Sequence, residues 1–204
     1  MPKQNKKYRS LFYAVIISFL IGMSAGYVSN NEYILSFFDN KVKPPIKTTL
    51  DPILVGTGEI NTCFTPPAGC GLVIANLISK AQESIYVQAY SFTSGEITHA
   101  LINAHKRGVK VKILLDRSNI GAKNSRMQNL IKAGIEVDID HISGIAHNKV
   151  IIIDNQTLIT GSFNFTVAAD IRNAENIIIV NDKQIAERYL QNWFSRKQKS
   201  KKLK

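Results

Sequence analysis

The run IAHNKVIIIDNQTLITGSFNF, Ile145 to Phe165, carries His147, Lys149, Asp154, Ser162 and Asn164 among residues that are mostly aliphatic or aromatic. Polar groups in such a setting cost free energy unless they are paired, so they form either a satisfied core network or a site. Their types suit one chemistry. Lys149 and Asn164 can hold anionic oxygens, and His147 can attack as a nucleophile or pass a proton. Ser162, or Glu175 in the segment NAENIII, can bond the distal ring nitrogen and fix the tautomer. An electrophile that calls for a cation, an amide donor and an imidazole is a phosphorus ester. No Cys/His/carboxylate grouping has the spacing of a metal site, so neither metal nor cofactor is expected.

The elements that must bring these side chains together are legible in outline. Asp154-Asn155-Gln156-Thr157 has turn chemistry between two strand-like runs, HNKVIIID and TLITGSFN. A simple hairpin centred there sets His147 opposite Asn164 and Lys149 opposite Ser162, all on one face because residues i and i+2 share a face. Gly161 is read as letting a ligand approach the backbone. Upstream, helical spacing in LVIANLISKAQ, EITHALINAHKRG and NSRMQNLIKAG alternates with strand-like SIYVQAYSF, VKVKILLD and IEVDID. ENIIIV is a further strand, and KQIAERYLQNWFSRK is an amphipathic helix. Alternation of this kind predicts an α/β fold, with a sheet sandwiched between helices. The last three strands lack helical crossovers, so the sheet should be mixed.

The flanks organise the chain. Lys3, Lys6, Lys7 and Arg9 precede an uncharged hydrophobic run, so residues 1–29 read as a signal peptide or membrane anchor. That reading places the remainder outside the cytoplasm, secreted or anchored in the inner membrane, with membrane association through residues 11–28. Residues 30–57, with Pro44, Pro45 and Pro52, read as a linker. One catalytic domain follows over 58–195, and 196–204 is a basic tail. The net charge of +11 lies in these two ends, leaving the body near neutral. Charge alone therefore does not define a nucleic-acid-binding domain. Cys63 and Cys70 enclose a Pro-Pro turn; in an exported chain they are expected to form a disulfide, two free thiols being the alternative.

The motif His147-x-Lys149-x4-Asp154-x6-Gly161-Ser162-x-Asn164 resembles the signature of the phospholipase D superfamily. The similarity runs from about Thr62 to Phe194 and is closest to the short single-motif members, the small rickettsial-type phospholipase D and the bacterial phospholipase D-like endonuclease. The resemblance implies the phospholipase D/nuclease fold and phosphodiester transfer without metal. It implies a phosphohistidine on His147, phosphate binding by Lys149 and Asn164, and orientation of the histidine by Ser162 and Glu175. Asp154 belongs to the family pattern, but strict alternation turns it off the face of Lys149, and a hairpin-holding role is expected. Arg117, with Lys123 and Arg126, is expected at the site mouth. His99, His105 and His141 have no lysine two residues on, so a reaction needing two motif histidines needs a homodimer with a shared active site. The expected substrate is a phosphatidylcholine-like lipid, cleaved to phosphatidate and free alcohol. The alternative is a sequence-non-specific endonuclease, and the remote alternative an inert module that binds anionic ligands.

Overall fold

The computed structural model describes residues 58–66 and 69–202. The N-terminal hydrophobic segment and the linker lie outside the described residues. Eight strands form one sheet in the order β1-β7-β6-β5-β2-β3-β4-β8. They are β1 Glu59–Thr65, β2 Ser84–Ala89, β3 Lys110–Asp116, β4 Glu136–Asp140, β5 Lys149–Ile153, β6 Thr157–Gly161, β7 Glu175–Asn181 and β8 Lys201–Lys202. Only β2–β3 and β3–β4 pair in parallel; the other neighbours are antiparallel. The mixed sheet follows from connectivity: helical crossovers link β2 to β3 and β3 to β4, whereas β5 and β6 are joined by a tight turn.

Two apolar layers cover the sheet. On one face lie α1 (Cys70–Ser79), α2 (Gly95–Lys106), α3 (Met127–Lys132) and α4 (Val167–Ile171), packed through Ile74, Ile78, Ile97, Leu101, Leu130 and Ala169. On the other lies α5 (Lys183–Gln198), which seats Ala186 and Trp193 on Tyr86, Leu114, Val150 and Ile152. The Trp193 indole N–H donates to Val87 O at 3.0 Å, so the ring is buried without an orphan donor. Each such large apolar side chain contributes about 1.5–3 kcal/mol when fully buried. Capping fixes where helices start. Ser94 accepts from Ile97 N, Thr166 from Ala169 N and Asp182 from Ile185 N.

The basic run at the C-terminus begins inside α5. Arg196 bonds Asp140, and Lys197 bonds both Asp138 and Glu136, all on β4. Beyond the helix, Lys201 and Lys202 pair with β4 as the edge strand β8. Part of the terminal charge is therefore spent on fastening the chain end to the sheet.

The hairpin register differs from the expected one by one residue. Ile153 pairs with Thr157 and Ile151 with Ile159, which leaves three residues in the loop and points Lys149 toward Gly161. Asp154 and Asn155 both take φ 52, and Gln156 N donates to Ile153 O at 3.0 Å. Two consecutive left-handed residues tighten the turn, a conformation that Asp and Asn tolerate. A strict continuation of this register would send Ser162 and Asn164 to the wrong face. A β-bulge prevents it. Ser162 N and Phe163 N both donate to Asn176 O, at 3.1 and 3.3 Å, so two residues oppose one and the strand changes phase. The shift in the turn and the bulge cancel.

Candidate active site

The ends of β1, β2, β3, β4 and β6 and the starts of β5 and β7 meet at one end of the sheet. All the motif residues except Asp154 gather there. Ala89 pairs with Lys149 across β2 and β5, which brings Tyr90 beside the histidine loop. The Tyr90 and His147 rings lie 4.7 Å apart, and the Lys149 ammonium lies 5.5 Å from the Tyr90 ring centroid. Lys149 Nζ stands 2.9 Å from His147 Nδ1 and 3.1 Å from Nε2, at the ring edge, and donates to His147 O at 2.9 Å. His147 itself is exposed, while Lys149 is only 7% exposed behind it. Burial pulls the Lys149 ammonium below the usual lysine range, and the Glu175 carboxylate works against that pull.

The opposite wall comes from the bulge. Ser162 Oγ donates to Glu175 Oε2 at 2.6 Å and accepts from Asn176 N at 3.1 Å, while Asn173 Nδ2 donates to Glu175 Oε1 at 3.0 Å. Ser162 and Glu175 thus bond each other, and neither bonds His147 in this structure. Asn164 is set between Phe163 and Phe165, each 1% exposed, so two buried rings fix the backbone that presents its amide. Asn164 Oδ1 is buried and has no hydrogen-bond partner. Gly161 has a role other than the expected ligand approach. At φ 150 a Cβ would lie 2.3 Å from Asn176 O, so the close backbone belongs to β7.

Asp154 sits at the far end of the hairpin. Its carboxylate accepts from Gln82 N, Glu83 N and Ser84 N at 2.8 to 2.9 Å. It ties the turn to the start of β2 and reaches no residue of the site. Arg117 is exposed in the short 3-10 turn after β3, whereas Lys123 and Arg126 line a cleft of about 740 Å³ that Tyr90 and Asn164 also border. Cys63 and Cys70 are joined in the structure, with Cα atoms 5.8 Å apart.

Three contributors were not read from sequence. Arg172 lines the same cleft. Asp116, 1% exposed, accepts from Ala146 N at 2.7 Å and from Ser118 N at 2.8 Å. Burial alone would raise its carboxyl, but these two amides and the Arg117 charge outweigh it and hold the group below its usual range. Asp116 thereby pins the residue before His147. Asn119 donates to Tyr90 O at 2.7 Å and accepts from Ser125 Oγ, joining the cleft wall to the ring beside the histidine. A carboxylate ending the buried strand VKILLD was the available signal for Asp116; nothing local marks Asn119.

Residues 74–197 match the family described as cardiolipin synthase, PLD-like domain. The chain is 50% identical over 201 residues to the phospholipase D of Rickettsia conorii, covering 97% of this chain and 98% of that protein. The chain belongs to the phospholipase D superfamily. It is also 34% identical over 148 residues to the mitochondrial cardiolipin hydrolase of Xenopus tropicalis, across 72% of this chain and 70% of that one. The crystal structure of Nuc, a phospholipase D family member from Salmonella typhimurium, has a TM-score of 0.68 at 36% identity and covers 72% of this chain and 98% of its own. The fold is thus the phospholipase D/nuclease fold, and the chain is a phosphodiesterase of that superfamily.

Proposed function

We propose that this phosphodiesterase is an exported phospholipase D that cleaves glycerophospholipids, phosphatidylcholine-like lipids included, to phosphatidate and free alcohol. The observation that carries the mechanism is the buried Lys149 ammonium held against the exposed His147 ring, with Asn164 on the cleft that Tyr90 also borders. In the first step a ring nitrogen of His147 attacks phosphorus and the bond from phosphorus to the alcohol oxygen breaks. The partner subunit's His147 donates the proton to that oxygen. In the second step the same group takes a proton from water, the hydroxide attacks phosphorus, and the phosphorus–nitrogen bond breaks. Lys149 and Asn164 hold the phosphoryl oxygens, where a buried cation is worth far more than in water. Ser162 and Glu175 steady one wall of the site. The Cys63–Cys70 disulfide closes the turn into α1, as suits an exported protein.

The homodimer reading is supported by the exposed position of His147 and by Leu72, Ile120, Ile145, Val167 and Ile171, which are exposed around this end of the sheet. Endonuclease activity is the second reading, favoured by the 36% identity with Nuc. The test is the full chain in detergent, given phosphatidylcholine vesicles and plasmid DNA in parallel with EDTA present. Lipid hydrolysis, with a covalent phosphoprotein that acid destroys and the His147→Ala variant lacks, is expected. Cleavage of plasmid alone would replace the first reading by the second.

A further inference from the structure

Tyr90 follows directly on β2, and its ring meets the two groups that handle the phosphoryl charge. The Lys149 ammonium stands over the ring, 5.5 Å from its centroid, and the His147 ring lies 4.7 Å away, tilted by 55°. Among the described residues no other aromatic ring lies against either side chain. Tyr90 is held there by its backbone. Its N–H donates to Asn148 O at 3.0 Å, and its carbonyl accepts from Asn119 Nδ2 at 2.7 Å. Asn119 also donates to Asp116 O at 3.0 Å, and the Asp116 carboxylate accepts from Ala146 N. The residues on both sides of His147 are thus tied to the same small framework as Tyr90. The interactions of Tyr90 among the described residues involve its ring and its backbone and not its hydroxyl. The Glu175 carboxylate, which attracts Lys149 from a distance, accepts its hydrogen bonds from Ser162 and Asn173.

We propose that Tyr90 is a positioning residue whose ring stabilises positive charge on His147 and Lys149 as the phosphohistidine forms. The inference rests on the phosphohistidine reading above and deepens it. In that step one ring nitrogen of His147 bonds phosphorus, and the other keeps its proton. The bond from phosphorus to the alcohol oxygen breaks, and its electron pair leaves with that oxygen. The phosphorylated imidazole is then a cation. It forms with Lys149 Nζ already 2.9 and 3.1 Å from the two ring nitrogens, so two positive charges share one small space. Like charges at such a separation repel, the more so where water is scarce. An aromatic ring carries negative charge density on its face and attracts a cation within ~6 Å of its centroid. Both groups fall inside that range. The ring is uncharged, so it offsets the repulsion and leaves Lys149 free to face the phosphoryl oxygens. A carboxylate in the same place would bind the ammonium and cancel its field at phosphorus.

The test uses the full chain in detergent and bis(para-nitrophenyl) phosphate, a phosphodiester that is neither lipid nor nucleic acid. Its leaving group departs without a proton, so kcat/KM reads the attack of His147 apart from the acid. Tyr90→Leu should lower kcat/KM about tenfold, the scale of one partly desolvated contact between a ring and a cation. Tyr90→Phe should recover most of that loss, since the hydroxyl is not used. Phenylalanine bearing one, two or three fluorine atoms, built into the same position, keeps the shape of the ring and drains charge from its face. Along that series kcat/KM should fall step by step, while the melting temperature followed by circular dichroism stays with that of Tyr90→Phe. A ring that only fills space would leave the series flat. A flat series beside an active Tyr90→Phe protein would therefore overturn the electrostatic role. So would a Tyr90→Phe protein as impaired as Tyr90→Leu, because the hydroxyl would then carry the effect. A wild type in which no acid-labile phosphoprotein forms would remove the phosphohistidine reading, and the role of Tyr90 with it.

Discussion

Lys149 shows how the site trades stability for function. A cation this far from water is unfavourable unless a partner compensates; among the described residues its hydrogen bonds go only to His147, and Glu175 acts at longer range. Its depressed pKa means that the folded state disfavours the charged form. Stability therefore rises as pH climbs through the folded pKa toward the unfolded value, the reverse of a favourable ion pair. Lys149→Met should accordingly leave the melting temperature unchanged or raise it, while kcat falls by about 100-fold or more, the scale of losing one preorganised charge at phosphorus. Activity of the wild type should fall on the alkaline side below the ordinary lysine value of 10.5. Lys149→Arg, if it retains turnover, should move that limb upward. A Lys149→Met protein that melts several degrees lower and still turns over would make the residue structural.

The hairpin that presents the site was legible in type and spacing but not in register. His147, Lys149, Ser162 and Asn164 were identifiable because polar groups are out of place in an aliphatic run, yet two local deviations decide how they converge. Asp154 and Asn155 adopt left-handed backbone and shorten the loop, and the bulge after Gly161 restores the lost phase. Sequence shows each as a permissive residue and cannot show that they compensate, because the acceptor that defines the bulge, Asn176 O, lies on another strand. β1 and β8 were missed for a related reason. EINTCFT has weak alternation and leaves Ile60 and Phe64 outside, and Lys201–Lys202 is held only by pairing with β4. Gly161 is the point where the element is most vulnerable. Gly161→Ala would place a methyl group against Asn176 O in a backbone region that L-residues avoid. A loss of about 2–4 kcal/mol is expected from the combined strain and displacement. Denaturant unfolding checks this; an unchanged midpoint would mean that the bulge relaxes freely and does not fix Ser162.

At the scale of the whole molecule, the chain end and the site sit on the same sheet and respond to pH for separate reasons. Hydrogen bonds from Lys197 and Lys112 hold the Glu136 carboxyl at about 2, against an ordinary value of 4.5. A depressed acid stabilises the fold above its unfolded pKa and loses that contribution as pH falls through its folded pKa. The loss should therefore fall between about pH 4.5 and 2, with an upper bound near 3 kcal/mol. Glu136→Gln should flatten the stability profile in that window, as measured by urea unfolding at several pH values. Its neutral-pH cost should appear without change in turnover, since α5 and β4 hold no site residue. The active assembly is a separate matter. One motif histidine per chain cannot both carry the phosphoryl group and protonate the leaving oxygen in one step, so a single site on a twofold axis is expected. An active monomer would instead have to recruit Glu175 or water as the acid. Mixing wild-type subunits with His147→Ala subunits under conditions of exchange separates these cases. Each heterodimer retains one imidazole and should be nearly inactive, so activity should follow roughly the square of the wild-type fraction. A linear decline, or full activity from a species that sediments as a monomer at assay concentration, would remove the shared site.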